Sequence, residues 1–224
     1  MAQVDDRAAK VLELLEGGAP IKWDSQLRSA WSRFIQSLQL RAPIDIAGIK
    51  QRIANDWKVL IPEIQERYQE LKREGDPPTA EEYFERDDPE IVERIGMWMA
   101  TRLIDQPKLG EHLNSMKWAV VRLDPHPDCL HMEAHGVESR HGPKEPDPLI
   151  TLPVGPKRLF VAANRAQRID PLKQIPPRDI VRVRNATTVK TAVNFVWAVD
   201  RSQARFISDH MSIEPAYSLG ARLN

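Results

Sequence analysis

The chain has 224 residues, 42% of them hydrophobic, with 32 basic and 32 acidic side chains and one cysteine. This content can bury a core and excludes a disordered chain, and zero formal net charge excludes a global field that would draw the protein to nucleic acid or an anionic membrane. The single cysteine excludes an intramolecular disulfide framework and suits a reducing compartment. No apolar run approaches the roughly 20 residues that cross a bilayer, so no membrane partner is expected. The opening Met1–Arg7 is acidic and polar where a secretory signal is basic and then apolar, and a cytoplasmic location is the expectation.

In chain order, Asp5 or Asp6 is expected to cap a helix carrying Ala8, Val11, Leu12 and Leu15, which Gly17 and Gly18 end. Asp24 is a suitable cap for a second helix through Leu27, Ala30, Trp31, Phe34, Ile35 and Leu38, whose wide apolar stripe suits a core helix. Pro43 fits the first turn of a third helix with Ile46, Ile49, Ile53, Trp57 and Leu60, and Pro62 is expected to break or kink it. Gly75 to Thr79 reads as a connector, and Thr79 with Glu82 matches a capping box for a short acidic helix. Asp88 and Pro89 then open a helix to Ile104 with Ile91, Ile95, Trp98 and Met99 expected inward, and with Met97 and Met99 as core fillers.

After a short helix from Pro107 to Asn114, Lys117–Leu123 and Leu149–Ala163 read as two strands. Asp179 is expected to cap a helix over Ile180 to Lys190, Val193–Val199 alternates as a third strand, and Asp200–Ile207 suits a final helix. The six tryptophans fall mainly on inner faces of these elements.

The loop between the first two strands holds Cys129, His131, His135 and His141, with His126 and Glu133 nearby. Thiolate and imidazole are zinc ligands, and two histidines four apart share a helix face. The metalloprotease pattern, however, needs glutamate directly after its first histidine, and the loop's prolines and glycines oppose a long helix. A plain loop without a cofactor is the expectation, and a zinc-dependent hydrolase using these four residues is the alternative.

A basic strip runs through Lys157, Arg158, Arg165 and Arg168 and then Arg178, Arg182, Arg184 and Lys190. The latter four define a second alternative, a nucleic-acid-binding module. Balanced charge and the absence of interleaved aromatic residues favour a solvated face instead. Ser208, Asp209 and His210 are consecutive, whereas a catalytic triad needs side chains that converge in space.

Four segments occur together: Phe34 to Pro43 with its Arg41-Ala-Pro43, Met116-Lys-Trp118, Ile150 to Asn164 with Leu152-Pro-Val-Gly-Pro156, and Asn194 to Val199. In combination and order they resemble the bacterial domain-of-unknown-function family 4238, over residues 20 to 210. The resemblance implies a fold and no established reaction. Two of the family's segments are missing: an opening His-x-x-Pro, and a Thr-Ser-Asp-x-Pro after the tryptophan strand, where this chain has His126 to His141. A truncated or degenerate member without competent catalysis, read in a shifted frame over 126–148, is therefore expected.

The expected architecture is α+β in one domain over 1–224: mainly helical over 1–115, strands and helices over 116–210, and a tail over 211–224. The helical half should pack on a small mixed or antiparallel sheet built from the strands near 117, 150–163 and 193–199.

Overall fold

The computed structural model describes residues 2–40, 43–123, 131–132, 138–140 and 148–214; of these, 2–5, 43–44, 131–132 and 138–140 are described by backbone alone. The described elements are α1 (Ala2–Gly17), α2 (Ser25–Leu40), α3 (Pro43–Leu71), α4 (Ala80–Asp87), α5 (Ile91–Ile104), α6 (Pro107–Ser115), β1 (Lys117–Arg122), β2 (His131–Met132), β3 (Glu138–Arg140), β4 (Leu149–Gly155), β5 (Arg158–Ala163), α7 (Ala166–Gln174), α8 (Pro177–Thr191), β6 (Val196–Trp197) and α9 (Ala204–His210). Contacts group them into two compact units. Unit 1 holds the described residues of Met1–Ala42 and Asp105–Tyr217, and unit 2 those of Pro43–Ile104. The fold is α+β with helices leading and the sheet following, as the sequence predicts.

Unit 1 is built around an antiparallel sheet in the order β1-β5-β4-β3. Successive side chains of a strand point to opposite faces, and here both faces are covered. Phe160 and Ala162 of β5 lie in register with Leu152 and Ile150 of β4, and with Val120 and Trp118 of β1. This face packs on Val11 and Leu15 of α1, Trp31 and Ile35 of α2 and Leu113 of α6. The alternate residues Val121, Leu123, Leu159, Val161 and Ala163 meet Ile169 of α7 and Ile180 and Val181 of α8 on the other face. Two-sided burial explains why β4 and β5 read as nearly continuous apolar runs.

The stretch predicted as one strand over Leu149–Ala163 is instead the hairpin of β4 and β5, with a register irregularity between Pro153 and Gly155. Pro153 and Pro156 carry no amide hydrogen, so the ladder is interrupted and the chain reverses there. The C-terminal end of α1 closes on this hairpin: a Cβ at Gly155 would lie 2.9 Å from Glu16 Cγ, and one at Gly18 would collide with the Arg158 guanidinium. Gly18, at φ +71°, ends α1 with amide bonds from itself to Leu15 O (3.2 Å) and from Ala19 to Leu14 O (3.1 Å). That pairing is a Schellman stop, which glycine adopts without steric cost. The start of α1 differs from expectation: the helix begins at Ala2, so Asp5 and Asp6 lie within it and not at its cap. Asp24 caps α2 as predicted, accepting from the Leu27 amide at 2.8 Å.

Three further expectations in unit 1 are corrected. The strand predicted over Val193–Val199 shrinks to β6, which pairs with β2 and lies outside the four-stranded sheet. Phe195, Trp197 and Val199 are exposed, so the alternating pattern there has no inner face to serve. Helix α8 begins at Pro177, placing Asp179 in its first turn and not at its cap; proline fits the start of a helix because its missing amide hydrogen is not needed there. Helix α7 was not anticipated, since Pro171 and the basic Arg168 and Lys173 hide the single buried anchor Ile169.

In unit 2, α3 runs continuously from Pro43 to Leu71 with Pro62 inside it, so of the break or kink expected there the break does not occur. The connector after it is tied down by side chains. Tyr68 Oη donates to Pro77 O at 2.7 Å, Gln69 Nε2 to Pro78 O at 3.0 Å, and the Ala80 amide to Gln65 Oε1 at 2.7 Å. Thr79 caps α4 as predicted, accepting from the Glu82 amide at 3.2 Å. Trp57 meets Phe84 edge-on with ring centroids 5.2 Å apart.

Helix α5 turns Gly96 and Ala100 inward, and a Cβ at Gly96 would lie 3.3 Å from Lys50 Cγ of α3. Trp98 is 55% exposed and Met97 48% exposed, against the prediction that both serve the core. Ile91, Ile95 and Met99 share the face of Gly96 and Ala100 at three-and-four spacing, and positions 97 and 98 fall outside that stripe.

Candidate functional site

A cavity of about 330 Å³ opens in unit 1 between the α1–α2 connection and the β1 edge of the sheet. Leu15, Gly18, Ile21 and Trp23 form one side, while Trp118, Val120, Arg158 and Phe160 form the other. Its aromatic wall is fixed by a chain of contacts. Trp23 meets Trp118 edge-on at 4.9 Å, Trp118 meets Phe160 at 5.5 Å, and Phe160 meets the fully buried Trp31 at 5.6 Å.

Trp118 is held by two further contacts. Its Nε1 donates to Leu113 O at 3.1 Å, and the Arg28 guanidinium lies over its ring at 3.8 Å. Arg28 is anchored in turn, donating from Nε to Asn114 O at 2.8 Å and from Nη2 to Met116 O at 2.6 Å. Burial pushes its pKa below the ordinary arginine value, a lowering that still leaves a guanidinium a cation at neutral pH. The aromatic surface offered to a ligand is thus pre-organised, and little rotamer freedom is lost when it is covered.

Arg158 brings charge to this wall. Its Nε donates to the carbonyl of Glu16 at 3.0 Å, and its guanidinium lies against Gly18, where no side chain intervenes. A fork held at Nε keeps a planar donor set beside the cavity, and such a fork recognises carboxylate or phosphate oxygens in pairs. Arg158 is the ionisable side chain of the lining. The chemistry it supplies is charge pairing, because a guanidinium does not exchange protons near neutral pH.

With that geometry in place, the comparisons can be stated. The sequence profile of the family described as "Protein of unknown function (DUF4238)" matches residues 1–202. The chain belongs to this family. Every residue of the cavity lining falls inside the matched part. No curated protein and no solved structure matches the chain. Among the described residues of this family member, no helix is long and apolar enough to cross a membrane.

The residues singled out from sequence are placed differently from one another. Cys129, His135 and His141 lie outside the described residues, as does most of 126–148, and of His131 only the backbone in β2 is described. Among the described residues, no three His, Cys, Asp or Glu side chains converge in a metal-binding group. The strip of Arg178, Arg182, Arg184 and Lys190 does not share one face of α8. Arg178 and Arg182 are exposed and both approach Asp179, at 3.9 and 3.4 Å, whereas Arg184 is only 4% exposed and Lys190 pairs with Glu214 at 2.9 Å. In α9, Asp209 pairs with Arg205 at 3.6 Å, and His210 Nδ1 lies 3.0 Å from Phe206 O. Neither of these contacts orients a nucleophile.

Sequence reasoning missed the cavity. Trp23 and Trp118 read as core, and Arg158 as one member of a basic strip. A usable signal existed: Arg158 precedes Phe160 by two positions in a strand, so the two share a face.

Proposed function

We propose that this protein acts by binding, and that its cavity takes ligands with a flat apolar body and one acidic group, without catalysis of its own. The observation that carries this reading is the pairing of Arg158, tied at Nε to the Glu16 carbonyl, with the wall formed by Trp23, Trp118 and Phe160. A volume near 330 Å³ lies at the lower end of the about 300–1,000 Å³ typical of small-molecule sites, which suits one or two fused rings. The single cysteine and the family resemblance support a bacterial cytoplasmic setting.

Calorimetric titration with 2-naphthoate and with its neutral amide tests the reading. The acid should bind at least about tenfold more tightly, the scale of a charge-assisted hydrogen bond. Arg158→Ala should bring the two to equal affinity. Equal affinity of the unaltered protein for acid and amide would overturn the proposal.

A further inference from the structure

The cavity sits against β1, an edge strand of the sheet among the described residues. β1 is the terminal strand of the order β1-β5-β4-β3. Its hydrogen-bonding register is set by the Leu123 amide, which donates to Lys157 O at 2.9 Å. In an antiparallel ladder the residues that exchange bonds with the neighbouring strand alternate. Val121, Ala119 and Lys117 therefore turn their amide and carbonyl groups toward β5, and Trp118 and Val120 turn theirs away from it. Among the described residues no further strand pairs with β1.

Trp118 and Val120, which turn their backbone groups outward, also line the cavity. Val120 is 38% exposed, and Trp118 offers its ring beside it. An edge strand next to an apolar hole is the arrangement used in strand addition, where main-chain bonds supply affinity and pockets for alternate side chains supply specificity.

The charges on the strand select among occupants. Lys117 begins β1 and Arg122 ends it, and Arg122 is the cross-strand partner of Arg158. A second copy of β1, Lys117-Trp-Ala-Val-Val-Arg122, holds no acidic residue and so offers Arg158 no carboxylate. An extended segment with acidic ends meets the opposite condition.

We propose that an extended acidic peptide adds to β1 as a fifth strand, pairing with the backbone of Trp118 and Val120, seating one large apolar side chain in the cavity and directing an acidic group to Arg158. This rests on the cavity being a binding site, and it names the class of ligand that the site takes.

The test uses the full chain and the peptide acetyl-Glu-Val-Phe-Val-Thr-Glu-amide. Two further versions are N-methylated on alternate amides, one on the odd set and one on the even. They keep every side chain and charge, and each removes one edge's donors. The parent peptide should bind, methylation of one set should weaken it at least about tenfold, and methylation of the other should change little, because only one peptide edge faces β1. Amide exchange at Trp118 and Val120 should slow by at least about tenfold in the complex. If both methylated peptides bind like the parent, or both weaken alike, strand addition is overturned, while an acid-selective response to 2-naphthoate keeps the cavity reading intact. If 2-naphthoate shows no preference over its amide, the cavity reading falls, whatever the peptides do.

Discussion

Unit 1 closes two apolar layers on the faces of its sheet, with Trp31, Phe160, Val161 and Ala163 fully withdrawn from solvent. In unit 2, by contrast, the buried apolar side chains among the described residues are Ile49, Ala80 and Ala100, while Val59, Leu71 and Trp98 stand exposed. Unit 2 relies more on local ties: the Thr79 cap, the side chains of Gln65, Tyr68 and Gln69 on the connector, and a close approach of α5 to α3 at Gly96. Local bonds fix the course of a chain, whereas extensive burial makes opening cooperative and costly. The cavity lies in the well-buried unit, where a rigid wall can be maintained.

The most severe way to break this contrast is Phe160→Ala, which removes the ring that joins Trp31 to Trp118. It should cost about 3–5 kcal/mol in denaturant unfolding. Trp57→Ala, at a half-buried ring in unit 2, should cost clearly less, and equal losses would mean that the units are equally well packed. Gly18→Ala should come next. It forces a residue with a Cβ to φ +71° and into the Arg158 guanidinium, at a cost above about 1 kcal/mol. It should also weaken 2-naphthoate binding by displacing Arg158.

Thr79→Ala should cost about 1 kcal/mol through loss of the α4 cap. Its effect on hydrogen exchange should be confined to amides of unit 2, and spread into β4 and β5 would argue against two units. The smallest effect concerns acid. The hydrogen bond from Arg86 Nε to Asp87 Oδ1, at 2.7 Å, holds the Asp87 carboxyl below its usual range. A carboxylate with a depressed pKa stabilises the folded state above its unfolded value, and that contribution is lost as pH falls through the folded one. Protection of the α4 amides, taken relative to their intrinsic exchange rate at each pH, should therefore fall on acidification below the ordinary aspartate range, and Arg86→Ala should flatten that dependence.

Much of the fold was legible because its signals are local. Asp24 and Thr79 each place an acceptor where the first helical amides need one, and Gly18 supplies the left-handed residue that ends α1. The stripe on α2 and the apolar runs of β4 and β5 reported burial correctly. Errors gathered where a local pattern meets a distant partner. The alternation of Val193–Val199 promised a core strand, but pairing with β2 leaves Trp197 exposed. Trp98 looked like core by residue type, yet α5 turns the smaller Gly96 and Ala100 inward.

By itself, then, the sequence determined most of the helices, the caps at Asp24 and Thr79, the stop at Gly18, the α+β class and the family, all of which depend on spacing within a few residues or on ordered motifs. The tertiary structure alone decided that Leu149–Ala163 folds back on itself and that β1 lies at the edge of the sheet. It alone brought Arg158, some 140 residues after Gly18, onto that glycine at the mouth of an aromatic cavity. Strand order and the meeting of distant residues arise from the simultaneous packing of many elements, and residue spacing carries no direct record of it.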